Sequence, residues 1–262
     1  MLSKNQIKAL SALKHKKFRK LHGKFLVEGI KQCEELLKSD YGIDALYICP
    51  QVLPEIKKRE LLRLIQHKSI DVIEITSREL KQLSDTVQSQ GVIALAGVKN
   101  WRLENLAFSE HALAVCLDGL ADPGNLGTII RTADWFGVNA ILLGNNCVEL
   151  YNPKVVRSTM GSCFHLPIVY DVDLKASLKF FDNHGFLLYA TDKTGGKNIN
   201  EMTFSNRSLI LLGNESEGLS ADLLHLSENI ITIPGANRTD SLNVAVAAGI
   251  ILHRLSNRNP SL

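Results

Sequence analysis

No apolar run in the chain approaches the roughly 20 residues needed to cross a bilayer, so no membrane-spanning segment is expected. The opening residues, MLSKNQIKAL, lack the apolar core of a secretory signal. The five cysteines (Cys33, Cys49, Cys116, Cys147 and Cys163) form no CxxC pair. Four of them sit in or beside apolar stretches, which predicts reduced, buried thiols and a cytoplasmic protein. The eight histidines form no HxxxH or HxH pair, so no structural metal site is expected. Neither GxGxxG nor GK[ST] occurs, which argues against a dinucleotide fingerprint and a P-loop.

What is present suits a globular protein. The 262 residues are 45% hydrophobic and 22% charged, enough for one large or two ordinary domains. The charge is uneven. Residues 1–31 hold nine Lys/Arg and one acid, Glu28, a net of +8. The whole chain carries +3, so the remainder carries −5. A basic block at one end suggests a polyanion partner, with RNA or DNA first; a solvated basic face is the plain alternative. Within it, Phe18 is flanked by Lys14, Lys16, Lys17, Arg19 and Lys20 on a helix predicted from about Lys4. Such a group suits phosphate contacts, which hold position without reading sequence.

Strands and helices then alternate through residue 98. Strands are predicted at 25–27, 46–49, 70–75 and 91–98, and helices at 29–39, 55–67 and 77–83. This describes a small α/β module. Residues 99–111 are polar without a clean period and are taken as a linker. From 112 onward the apolar runs are nearly continuous, at 113–117, 140–143, 186–190, 209–212 and 230–233. Such runs mark parallel strands covered on both faces. Helices are predicted between them at 126–136, 174–183, 220–226 and 241–255. The expected fold is α/β, a doubly wound parallel sheet whose ligands sit outside the carboxyl ends of the strands.

The loops after these strands hold the candidate site. The first reads DGLADPGNLGTIIRTA from Asp118, with Asn125 and Arg131 six apart. On a helix starting near Asn125, Arg131 must reach back toward the strand ends; its plain alternative is a surface ion pair, which contributes little. The second is ATDKTGG, with Thr191. The third is LGNESEGL, with Gly213 and Glu215, whose plain role is to complement the dipole of the helix that follows. The fourth runs from Ile233 to Asn243. It leads into a segment apolar on nearly every side (Leu242, Val244, Val246, Ile250, Ile251), as befits a helix buried in a core or between subunits. Ser241 and Asn243 lie in its first turn, with Asp240 or Ser241 as the candidate cap. Unpartnered N–H groups at such a turn can bind a ligand, although simple capping explains the same residues.

DPGNLGTIIRTA, LLGNESEGL and IPGANRTDSLNVAVAAG together resemble, in order and spacing, the three motifs of the SpoU (TrmH-like) branch of the SPOUT RNA methyltransferases. KFRKLHGKFLVEGIKQCEELL resembles the start of that family's RNA-binding domain, so the likeness covers nearly the whole chain. It implies a SPOUT parallel-sheet domain over 112–262, ending in a trefoil knot between about Gly213 and Leu255, and an RNA-binding domain over 1–98. It implies methyl transfer from S-adenosylmethionine to a ribose 2′-hydroxyl in ribosomal or transfer RNA. The N-terminal domain favours ribosomal RNA. It further implies a homodimer formed through the C-terminal domain, with sites near the subunit interface. Backbone groups around Gly213, Ile233 and Leu242, with Thr191 beside them, would surround the cofactor. Arg131 would activate the ribose hydroxyl, Asn125 and Glu215 would fix Arg131 and the loops, and Ser241 and Asn243 would order the knot and the target nucleotide. No metal is needed, because a sulfonium methyl is already electrophilic. A free guanidinium stays protonated, so Arg131 is better suited to stabilising a developing alkoxide, or holding the 3′ phosphate, than to acting as a base. One departure stands out: Gly235 follows Ile233-Pro234, where the family commonly has Met. Two other classes remain in view. An RNA-binding or ribosome-assembly protein with an inactive methyltransferase domain would keep the fold without the chemistry. A Rossmann-type enzyme would need the glycine signature that is missing.

Overall fold

The structure is a computed structural model. It describes residues 2–256 except 67, 194, 215 and 237–239. The chain divides into two compact units, one of residues 1–99 and 149–165, the other of residues 100–148 and 166–262.

The first unit starts with two helices, α1 (Lys4–Ala12) and α2 (Lys16–His22), where one continuous helix was predicted. Ser3 opens α1 with a capping box shared with Gln6. A break at residues 13–15 separates the two helices, and Gly23 ends α2 in the left-handed region, at φ 60°. Next come β1 (Lys24–Glu28), α3 (Ile30–Lys38), β2 (Ile43–Ile48), α4 (Glu55–Leu64), β3 (Asp71–Glu74), α5 (Ser77–Leu83) and β4 (Val92–Gly97). The cap of α5 is Thr76, in a capping box with Glu79. The sheet order is β1-β4-β2-β3, with only β2 and β3 parallel. One core holds Leu10, Tyr47, Ile75, Leu80, Leu83 and Ile93.

Residues 149–165 join this unit, although the sequence assigned them to the C-terminal domain. The reason is aromatic packing: the Tyr151 ring lies 4.3 Å from that of Phe25, and Phe164 meets Tyr41 edge-on at 5.1 Å. The segment also holds a helix not predicted from the sequence, α7 (Pro153–Ser158), capped by Asn152.

The second unit contains β5 (Ala112–Leu117), α6 (Pro123–Trp135), β6 (Ala140–Gly144), β7 (Ile168–Val172), α8 (Leu174–Asn183), β8 (Leu187–Thr191), β9 (Lys197–Asn198), β10 (Arg207–Leu212), α9 (Ala221–His225), β11 (Asn229–Thr232) and α10 (Val244–Ser256). Its seven strands lie in the order β7-β6-β5-β10-β8-β11-β9, and every neighbouring pair is parallel. β7 and β9 were not read from the sequence. Alternate residues of each strand face opposite sides. Ala114, Cys116, Leu142, Leu209 and Leu211 pack with Leu178 and Phe181 of α8. Val115, Leu117, Ile141, Leu143, Ile210 and Leu212 are buried as well, so both faces are covered. Trp101, Leu103 and Phe108 of the expected linker pack against the α8 side. That segment therefore belongs to the sheet's cover and is more than a spacer.

Candidate active site

Because the strands of the second unit are parallel, their carboxyl ends share one edge. β5 has β6 on one side and β10 on the other. Open α/β sheets leave a crevice where the strand order reverses in this way.

The loops at that edge are tied together by side-chain amides and one carboxylate. Asp118, the first residue past β5, is buried. Its Oδ2 accepts from the Ser220 N–H at 3.0 Å and its Oδ1 from Asn146 Nδ2 at 3.0 Å. Asn146 Oδ1 accepts from the Gly119 N–H at 3.0 Å. Asn214 Nδ2 donates to the Gly119 carbonyl at 2.7 Å, and its Oδ1 accepts from the Ser216 N–H at 2.8 Å. Two backbone bonds between Asn214 and Gly218 close the turn after β10. That turn folds onto Gly213 so closely that a Cβ there would lie 2.1 Å from backbone atoms of Gly218 and Leu219. Only glycine fits.

A second set joins β8 to its neighbours. Thr191 Oγ1 donates to the Leu211 carbonyl at 2.9 Å. Thr232 Oγ1 donates to the Asp192 carbonyl and accepts from the Gly196 N–H, both at 3.0 Å. A third set joins two helix starts. Asp122 caps α6 by accepting from the Asn125 N–H at 2.8 Å, with Pro123 in the first helical position. Asn243 Oδ1 accepts from the N–H groups of Ala245 (2.9 Å) and Val246 (3.2 Å). Its Nδ2 donates to Asn125 Oδ1 at 3.0 Å. Two predicted site residues 118 positions apart thus meet.

The other predicted residues are placed as follows. Gly213 and Thr191 lie at adjacent strand ends, and Ile233 follows β11 half-buried. Ser241 and Leu242 are exposed just before α10. Arg131 is exposed in mid-α6 and makes no hydrogen bond or ion pair with a described residue. Six residues beyond Asn125 is about 9 Å along the axis and a different side of the helix, so Arg131 does not join the Asn125–Asn243 pair. Glu215 lies outside the described residues.

Two readings need correction. α10 starts at Val244, not Ser241, and its cap is Asn243 rather than Asp240 or Ser241. The Asn243 oxygen is the one placed to meet the N–H groups two and three residues on. Nor is α10 buried all round. Val244, Ala245, Ala248, Ile251, Leu252 and Leu255 are buried, while Leu242, Val246 and Ile250, four residues apart, are 48%, 52% and 40% exposed. Sequence reasoning also missed Asp118, Asn146, Asn214 and Thr232. Each is a polar residue within two positions of an apolar strand end, and that is the signal that could have found them. Burial pushes the thiols of Cys116 and Cys147 up, so both stay neutral and neither is an activated nucleophile.

Two family models match the chain. Residues 112–253 match the SpoU rRNA Methylase family, and residues 4–94 match the MRM3-like substrate binding domain. The chain is 32% identical to the 23S rRNA (guanosine(2553)-2'-O)-methyltransferase RlmP of Bacillus subtilis, across 95% of this chain and 98% of that protein. It is 30% identical to a 23S rRNA (uridine(2479)-2'-O)-methyltransferase of Streptomyces viridochromogenes, across 88% of this chain and 82% of that protein. Among solved structures, the SpoU methyltransferase AviRb from Streptomyces viridochromogenes in complex with AdoMet superposes with a TM-score of 0.89 and 27% identity, covering 99% of both chains. With ordered motifs, fold and full-length relatives in agreement, the chain belongs to the SpoU rRNA methylase family.

Proposed function

We propose that the protein transfers the methyl group of S-adenosylmethionine to a ribose 2′-hydroxyl of ribosomal RNA. The observation that carries this reading is the Asn243–Asn125 bond at a strand edge whose loops are locked together, in a chain alike over most of its length to two 23S rRNA 2′-O-methyltransferases.

The edge suits the cofactor chemically. Leu242 is half exposed there, Ile233 is partly so, and the space beside Gly235 is open, with no atom within 4 Å of where a Cβ would stand. Apolar walls with main-chain polar groups suit an adenine nucleoside. Main-chain groups at Gly213, Ile233 and Leu242, with Thr191, would hold it. The family's usual Met would occupy the open space at Gly235; its loss widens the pocket without removing a backbone contact. When bound, the cofactor supplies an electrophilic methyl group.

The remaining work falls to the chain's own side chains. A ribose hydroxyl is a poor nucleophile at neutral pH. Arg131 stays cationic; it stabilises the charge developing on the 2′ oxygen or holds the 3′ phosphate against it. Asn125 and Asn243 fix the two helix starts beside which the nucleotide sits, with Ser241 next to it and Glu215 ordering the third loop. Positioning of this kind supplies much of the rate in a transfer needing donor, carbon and acceptor in line.

The finer architecture is part of the same reading. Residues 1–98 bind RNA, 112–262 carry the transfer, and 99–111 join them. The chain between about Gly213 and Leu255 forms a trefoil knot, for which the interleaving of β8, β10 and β11 and the packing of α10 on α6 give support. The exposed Leu242, Val246 and Ile250 stripe supports a homodimer through α10. Among the described residues no helix is long and apolar enough to cross a membrane, and we place the protein in the cytoplasm with its RNA. To test the activity, the Arg131→Ala variant is assayed with methyl-labelled cofactor and titrated with the cofactor calorimetrically. Transfer is lost and cofactor binding kept if the assignment holds; full residual transfer would defeat it.

A further inference from the structure

Asp118 is a carboxylate buried one residue past β5. Burying a charge is costly unless hydrogen bonds replace the lost water. Here they form a row that crosses three loops. The Ser220 N–H, beyond β10, donates to Asp118 Oδ2. Asn146 Nδ2, beyond β6, donates to Asp118 Oδ1. The Gly119 N–H, beyond β5, donates to Asn146 Oδ1. Each of these bonds is 3.0 Å long. The carbonyl of Gly119 is taken in turn by Asn214 Nδ2, at 2.7 Å. The turn that follows Gly213 is thereby gripped at its start, through Asn214, and at its end, through Ser220.

The row obeys a count. Its ends, the N–H groups of Ser220 and Gly119, can only donate. The two side chains between them must therefore offer an acceptor to each end and make one donor–acceptor contact with each other. That set is three acceptors and one donor. One ionised carboxylate and one amide supply it. Two amides are an acceptor short, and in every orientation two N–H groups then face each other somewhere along the row. Two carboxylates are a donor short and put two negative charges in contact. The count does not fix which position holds which group: an amide at 118 and a carboxylate at 146 make the same bonds.

From this count we infer that Asp118 is a positioning residue for the methyl donor. Its bonds hold the turn after β10 in the shape that offers the main chain at Gly213 to S-adenosylmethionine, and Asn146 is its complement. The inference rests on the reading of this edge as the cofactor site, and it names two side chains that set cofactor affinity by acting through the turn. A turn that is competent for only part of the time raises the Kd in proportion. Breaking one bond of the row therefore weakens cofactor binding without removing a contact to the cofactor.

The test uses the full chain. S-adenosylmethionine is titrated calorimetrically, well below the melting transition, into the wild type, Asp118→Asn, Asn146→Asp and Asp118→Asn/Asn146→Asp. Asp222→Asn serves as control, because it removes an exposed carboxylate from the same stretch of chain. KM and kcat are measured alongside, for methyl transfer to a transcript of 23S rRNA spanning the nucleotides 2479 to 2553 named for the two relatives. Each single variant should bind the cofactor about five- to tenfold more weakly, the scale of one hydrogen bond. KM for the cofactor should rise by the same factor, with kcat and KM for RNA within about twofold, because saturating cofactor reorders the turn. The double variant exchanges donor and acceptor and should return to within about twofold of the wild type, as should the control. Wild-type cofactor affinity in Asp118→Asn overturns the inference, and a lowered melting temperature with that affinity is what a merely structural role gives. A double variant that binds as weakly as the single ones, or does not fold, overturns it as well. Where a single variant does not fold, the double variant decides: wild-type affinity upholds the count, and reduced affinity overturns it. A wild type that binds no S-adenosylmethionine overturns the inference together with the reading on which it rests.

Discussion

Asn243 makes two kinds of bond, and substitutions can separate them. Its carbonyl oxygen caps α10 through Ala245 and Val246, and its amide donates to Asn125. Replacement by Ala removes both. A lost cap costs about 1 kcal/mol, and a lost bond between two partly exposed amides about 1 kcal/mol more. For a unit of this size each kcal/mol lowers the melting temperature by about 2–4 °C, so Asn243→Ala should melt roughly 4–8 °C lower. Asn243→Asp keeps an oxygen for the cap and adds a negative charge at a helix start, worth about 0.3–1 kcal/mol. That gain offsets the lost amide bond, so its melting temperature should stay within about 2 °C of the wild type. Its second oxygen now faces the Asn125 oxygen, so the two helix starts move apart. A displacement near 1 Å at a reacting site can cost about a hundredfold in rate. The assay is the transition of the second unit by calorimetry, beside the rate of label transfer from methyl-labelled cofactor to RNA. Wild-type activity in Asn243→Asp would refute the need for the bridge. An unchanged melting temperature in Asn243→Ala would refute the cap.

Further expectations follow from other parts of the structure. Burial raises the Glu28 pKa, but hydrogen bonds from Ser84, Thr86 and the Asp85 N–H outweigh it and hold the carboxyl below its ordinary value. Its stabilisation is therefore complete above the ordinary carboxylate range and disappears as pH falls through the lowered value. The melting-temperature gap between wild type and Glu28→Gln should narrow as pH falls through and below the ordinary carboxylate range; a constant gap would contradict the charged form. Gly213→Ala should cost about 3 kcal/mol or more, because its Cβ meets backbone at 2.1 Å. Gly249→Ala, whose nearest neighbour is Thr132 Cγ2 at 3.9 Å, should gain about 0.5–1 kcal/mol; denaturant titration distinguishes the pair, and equal effects would contradict the packing. Light scattering should find a dimer that Val246→Asp converts to monomer, and a monomeric wild type would end the proposal of an α10 interface.

Much of the second unit was legible because parallel strands covered on both faces leave near-continuous apolar runs, as at 113–117 and 209–212. β7 was missed because Tyr170 and Asp171 interrupt its apolar run, and Asp171 has a positive φ. The packing of the segment 149–165 with residues 1–99 was not legible because its partner, Phe25, is far away in sequence, and a stack of rings has no period to read. The α10 start shows a limit of a different kind. Asp240, Ser241 and Asn243 are all good caps by type, and only the position of Val244 in the fold selects among them. Asn125 and Asn243 stood out in the strand-end loops and took their roles from the motif resemblance, whereas Asp118 and Asn214 did not, since an amide or carboxylate holding loops together looks like any polar residue at a strand end. The basic block was visible at once, but the burial of Arg19 within it was not. Helical spacing leaves Arg19 only about 60° from Lys16, and it takes Glu149 to show that Arg19 turns inward.

The central claim is that this chain methylates a ribose hydroxyl. The direct measurement is alkaline hydrolysis of the 23S rRNA transcript after incubation with methyl-labelled S-adenosylmethionine. A 2′-O-methyl group blocks cleavage at its own nucleotide, so label should appear in a single alkali-resistant dinucleotide and vanish in Arg131→Ala. Label released entirely as a methylated mononucleotide would place the methyl on a base and contradict the claim.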